Sequence, residues 1–195
     1  QKRKVDSDRV DIIDNLFLVI TLDFRLQTGY DIVMKFKITG QHLPDRMTTA
    51  STVMTAVSLD RMMGKENRDK LDLRLRFKHH HSEGEAIPYN KYKYDVIVDH
   101  HRITHDAWNR EYHPDERIVK ICSIVCHEMV HVWQYFKEDL VHQGPKLYYK
   151  GVHYEADSLQ SYFDQPFEEE ARGKEEGHMI AFLKKWRELE SQGIL

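Results

Sequence analysis

Two histidines four residues apart, His127 and His131, bracket a glutamate, Glu128, in the run HEMVH. On a helix, four residues return to nearly the same face, so both imidazoles can grip one metal ion. Glu128 lies about 100° around the helix from His127 and about 60° from His131. It flanks the metal face without having to be a ligand. A carboxylate there can take a proton from water that the metal has acidified and pass it to a leaving amine. The chemistry these residues suit is hydrolysis by a metal-activated water, with zinc as the expected ion.

A hydrolytic zinc site takes three protein ligands and keeps one position open. The third ligand is sought in the acidic run Glu168, Glu169, Glu170, which follows Pro166 and Phe167. Glu168 is the choice and Glu170 the alternate. Acids at a helix start also serve the helix dipole, so their type alone does not decide. His142 and His153, between the two segments, are rival ligands. Tyr149, Tyr154, Tyr162 and His153 are candidates to face the developing oxyanion.

The zinc helix is expected over residues 114–137. Pro114, Asp115 and Glu116 open it well. Ile118, Ile121, Cys122, Val125, Met129, Val132, Trp133 and Phe136 make it apolar over a wide arc, as in a central buried helix. Cys126 belongs to that core. A last helix is expected from Pro166 to about Glu190, weakened by Gly173 and Gly177. A hairpin is expected over 147–154 within the connection 138–165.

The elements ahead of these are read from periodicity. Residues 9–27 repeat apolar positions at helical spacing, and 30–38 alternate like a strand. Residues 41–63 are ambiguous, and 48–59 read as a strand or a weak helix. Leu71, Leu73, Leu75 and Phe77 alternate with Asp72, Arg74, Arg76 and Lys78, a half-buried strand with a mostly basic outer face. His79, His80 and His81 lead into a loop. Residues 92–99 form another strand, whose segment 94–98 either packs inside the sheet or is an edge that receives an extended peptide. Residues 100–114 look irregular. The fold class is α+β, one domain over 1–195. Residues 1–90 supply the front helix and strands, and 91–195 supply the zinc-site half.

Bulk properties agree with a globular chain. It has 195 residues, 41% hydrophobic and 31% charged, with a formal net charge of -3. That balance gives no bulk drive toward nucleic acid or anionic membrane. Arg74, Arg76, Lys78 and His79 to His81 leave a local stripe that could meet phosphates, a weak case for a nucleic-acid partner. The most apolar early stretch, 12–22, holds Asp14 and Asn15 and is too short to span a bilayer and too acidic for a secretory signal. Cys122 and Cys126, the only cysteines, stand too close in sequence to staple a fold. A reducing, cytoplasmic setting is expected.

The run 126–134 resembles the active helix of HExxH zincins of the SprT-like and gluzincin kind. Together with 149–154 and 162–171 it is similar to small metallopeptidases common in tailed phages, which pair the zinc helix with a following Pro-aromatic-Glu-x-Glu-Ala helix. The resemblance covers about 94–185 and leaves 1–90 unmatched. It implies a minimal zincin-like domain, with a small sheet packed on the zinc helix and a C-terminal helix bearing the ligand glutamate. It implies zinc on His127, His131 and Glu168, with Glu128 as general base, and a peptide or protein substrate met in a host cytoplasm. In gluzincins the ligand glutamate stands three before a small residue, which maps to Glu168 and Ala171. An acid or amide often stands four after it, where this chain has Arg172. SprT-like proteins use a His-Gly-Pro histidine instead, of which His142, Gln143, Gly144 and Pro145 are an imperfect echo.

Overall fold

A computed structural model of the chain describes residues 20–21, 34–40, 43–106, 108–155 and 158–195. The helix expected over 9–27 lies outside these residues, except at strand β1 (Ile20–Thr21). There the chain is extended, not helical. It pairs antiparallel with β2 (Lys35–Gly40), Ile20 opposite Ile38. The expected strand 30–38 is described from Met34 on and runs two residues further than expected.

The ambiguous segment is helix α1 (Asp45–Arg68). Its Thr and Ser hydroxyls turn back on the helix itself. Ser51 Oγ and Thr52 Oγ1 donate to the Thr48 carbonyl, and Thr55 Oγ1 donates to that of Ser51. A helix rich in β-branched polar residues is thereby satisfied inside a core. Gly64, at φ 73° and ψ 160°, kinks it near the end. That left-handed backbone is open to glycine.

Strand β3 (Asp72–Lys78) follows, then β4 (Gly84–Asn90) and β5 (Lys93–Asp99). The five-stranded sheet has the order β1-β2-β3-β5-β4. Strands β2, β3 and β5 are mutually parallel, and β4 runs antiparallel to β5. Register aligns Phe36 with Leu73 and Tyr94, and Ile38 with Leu75 and Val96. These side chains form one buried face. One expectation is corrected here and one alternative is decided. The stretch after His81 is not only loop, because it contains β4. Of the two readings of 94–98, the structure has the interior one, because β5 lies between β3 and β4. Pro88, which has no N–H to give, suits an edge strand.

Residues 100–114, expected to be irregular, include a short helix α2 (His100–Thr104). Helix α3 (Pro114–Phe136) begins at a capping box, in which the Glu116 carboxylate accepts the His113 backbone N–H. Ile121, Cys122, Val125, Cys126, Met129 and Val132 of α3 are fully buried. They pack in one core with α1, the sheet and the far end of the last helix. Both thiols are free, and burial pushes that of Cys126 up to about 12, so neither is a ready nucleophile.

The connection then forms a second sheet of β6 (Leu140–Gln143), β7 (Lys146–Tyr149) and β8 (Val152–Tyr154), antiparallel throughout. The expected hairpin is its second half. After a short helix α4 (Leu159–Phe163), helix α5 (Pro166–Ser191) runs unbroken through Gly173 and Gly177. Phe167 of α5 packs with Leu140 and Tyr149 in a small separate core that ties the second sheet to the start of α5. The chain is a mixed α+β protein. No helix among the described residues is long and apolar enough to cross a membrane.

Candidate metal centre

Helix α3 presents His127 and His131 one turn apart, and the first turn of α5 brings Glu168 against them. The two Nε2 atoms are 3.1 Å apart. Glu168 places Oε2 3.1 Å from His127 Nε2 and Oε1 3.3 Å from His131 Nε2. These three residues can hold a metal ion, and they are the one such group among the described residues. Ligands at about 2.1 Å from a tetrahedral zinc sit about 3.4 Å from one another. The donor triangle is close to one face of that tetrahedron.

Each imidazole is set by the partner of its other nitrogen. His127 Nδ1 is 2.9 Å from Glu175 Oε1, and His131 Nδ1 is 2.8 Å from Gln134 Oε1. Both partners are acceptors, so both Nδ1 atoms carry a proton and both Nε2 atoms face the shared centre. Gln134 is itself fixed, because its Nε2 donates to the Phe167 carbonyl and to Glu170 Oε2.

Charge is strongly organised around this centre. Burial would lower His127, but contacts with Glu168 and Glu175 override it and raise it to about 10. Burial would raise Glu168, but both histidines hold it well below the usual carboxylate range. Glu128 shows the opposite balance: burial pushes it up to about 6 against the pull of His131 and His127. Its Oε2 is buried with no hydrogen-bond partner. An orphaned carboxylate oxygen in a closed site is costly unless something else completes it. Three carboxylates around two imidazoles also leave excess negative charge. The donor set and the excess charge both fit a divalent cation.

The other expected residues are placed as follows. Glu170 does not join the ligands, because it accepts from Gln134 and from the Tyr149 hydroxyl, the latter at 2.7 Å. His142 Nε2 bonds the Tyr135 hydroxyl at 2.9 Å. His153 packs at a tilt against Tyr148, with its Nε2 3.6 Å from Glu155. Neither reaches the triangle. Of the oxyanion candidates, Tyr149 is engaged by Glu170 and Tyr154 packs against the small core. Tyr162 faces the centre, where burial and the Glu168 carboxylate hold its phenol proton on. The basic stripe is partly neutralised: Arg76 reaches buried Asp95 at 3.1 Å and Arg74 at 3.7 Å.

Sequence reasoning gave no role to Glu175, Gln134 or Gly84. The first two carried a signal. Glu175 stands two helical turns after Glu168, and Gln134 three residues after His131, so each shares a helix face with a residue of the donor triangle. An acid is absent four residues after Glu168, and Glu175 supplies the contact to His127 from one turn further on. Gly84 carried no local signal. No protein-family model, curated protein or solved structure matches the chain.

Proposed function

We propose that the protein is a zinc-dependent peptidase of minimal zincin-like design. His127, His131 and Glu168 hold the ion, and Glu128 is the general base and then the general acid. The observation that carries this reading is the buried, unpartnered Oε2 of Glu128 beside a donor triangle of tetrahedral size. Zinc, when bound there, supplies a Lewis acid that lowers the pKa of water toward about 7. Glu128 accepts the proton at its carboxylate and delivers it to the departing amine nitrogen. Its raised pKa, near 6, makes it a better base than an exposed glutamate yet leaves it ionised at neutral pH. Tyr162, whose phenol lies beside Glu168, is the candidate donor toward a developing oxyanion.

The substrate class proposed is an extended peptide or protein segment. Strand β4 is the free sheet edge nearest the centre, and Gly84 lies against Glu128. A chain adding to that edge by backbone pairing would run beside the carboxylate. The second reading, an inactive zincin-like module with a structural zinc and a protein or nucleic-acid partner, calls for a closed four-ligand site. Three described donors converge, and His142 and His153 are occupied elsewhere, which favours the open, hydrolytic site.

The test pairs elemental analysis with turnover of a quenched-fluorescent peptide library, for the native chain and Glu128→Gln. One zinc in both, with hydrolysis in the native chain alone, is expected. Zinc in both with no hydrolysis by the native chain points to the structural module, and absence of zinc from both overturns the reading.

A further inference from the structure

A residue that has no side chain lies against Glu128. Gly84 opens β4, and a Cβ built on it would meet Glu128 Oε1 at 2.5 Å, Cδ at 2.9 Å and Cγ at 2.9 Å. Real side chains do not approach so closely. The backbone at Gly84 lies outside the left-handed region, so its conformation would accept any L residue. The three atoms nearest such a Cβ all belong to Glu128.

The start of β4 is also held in place. The Glu83 carboxylate takes a two-pronged contact from Lys120 of α3, at 2.9 and 2.8 Å. Its backbone carbonyl accepts the Asp99 N–H at 2.9 Å. The Gly84 carbonyl accepts the Ser82 hydroxyl at 2.7 Å, and Gly84 pairs with Val98 in the ladder. A strand anchored on both sides does not back away from an added methyl. The glutamate side chain is the part that yields.

The geometry points to Gly84 as a positioning residue for Glu128: its missing side chain lets the sheet edge close on the carboxylate and fixes where that carboxylate stands relative to the metal ligands. This rests on the reading of Glu128 as general base. The same closure sets the spacing between the edge that would carry a peptide and the group that would act on it. A displacement of about 1 Å in such a constellation can cost on the order of 100-fold in rate.

The test is Gly84→Ala in the zinc-loaded full chain. We expect kcat on a quenched-fluorescent peptide to fall about 100-fold, with KM and zinc affinity by chelator competition unchanged. The contact itself is read without activity, from melting temperatures in a cycle. Gly84→Ala should lower the melting temperature of the native chain and should not lower it in the Glu128→Ala background, where space has been opened. Equal lowering in both backgrounds overturns the proposal, as does full kcat in zinc-loaded Gly84→Ala. If Gly84→Ala alone does not fold, the double variant must. A cycle that behaves as expected in a chain whose native form cleaves no peptide leaves the packing in place and removes the peptidase reading instead.

Discussion

His131 and Gln134 are joined by a 2.8 Å hydrogen bond from Nδ1 to the amide oxygen, and Gln134 passes the connection on to the Phe167 carbonyl and Glu170. One amide thus orients the His131 ring and ties it to the helix that carries Glu168. Replacing it by Ala should free the ring and remove one hydrogen bond each from the Phe167 carbonyl and the Glu170 carboxylate. Zinc affinity is expected to fall about 10–100-fold in Gln134→Ala, and by a similar factor in Glu175→Ala, which acts on His127. Competition with a chromogenic chelator measures both.

Glu168 and Glu170 should separate cleanly in metal analysis. Glu168→Ala removes a ligand and is expected to leave the chain without stoichiometric zinc. Glu170→Ala is expected to keep zinc. It loses instead the hydrogen bonds from Gln134 and Tyr149, a destabilisation of about 1–3 kcal/mol by denaturant unfolding. Zinc lost from Glu170→Ala alone would exchange the two assignments.

Metal removal should be visible as a thermal shift. Free zinc at 100 times Kd stabilises by about 2.7 kcal/mol, roughly 5–10 °C for a chain of this size. Glu128→Gln should show the full shift and His131→Ala little or none, with reversal on adding chelator. Equal shifts in all three chains would place the ion elsewhere.

An acid-sensitive contact lies away from the centre, at His178 on α5. Burial, with Arg61 and Lys174 nearby, lowers it to about 4, and its Nδ1 has no partner among the described residues. The folded value lies below the ordinary one of about 6.5, so the unfolded chain takes up the proton first. The stability supplied by the neutral ring is complete above about pH 6.5 and is lost as pH falls toward about 4. Melting curves of metal-free protein across that range should slope downward with acid, and His178→Leu should flatten the slope. An unchanged slope in the variant would move the effect to other groups.

How much of this could be read from the residues alone divides along physical lines. Helices α3 and α5 were legible, because their apolar positions recur at helical spacing and Pro114 and Pro166 mark their starts. The approach of His127 and His131 on α3 was legible because four residues on one helix fix its geometry. Strand β4 was not, since Gly84, Glu85 and Pro88 carry no strand preference and the strand exists by pairing with β5. Helix α1 was unresolved because its Thr and Val residues suit a strand, and only burial against α3 selects the helix with its hydroxyls folded back. The choice of Glu168 over Glu170 also depended on packing. Tyr149 and Gln134 claim Glu170, and both come from other elements.

The second sheet lies in the segment between His131 on α3 and Glu168 on α5. An ion held by both would close that whole stretch into a ring. A disulfide across a loop of such length removes roughly 4 kcal/mol worth of freedom from the unfolded chain by chain-entropy reasoning. A cation on these residues would act on the denatured ensemble in the same way. Its contribution would then exceed what the contacts of the folded site alone account for, and the second sheet would melt together with the helices instead of fraying ahead of them.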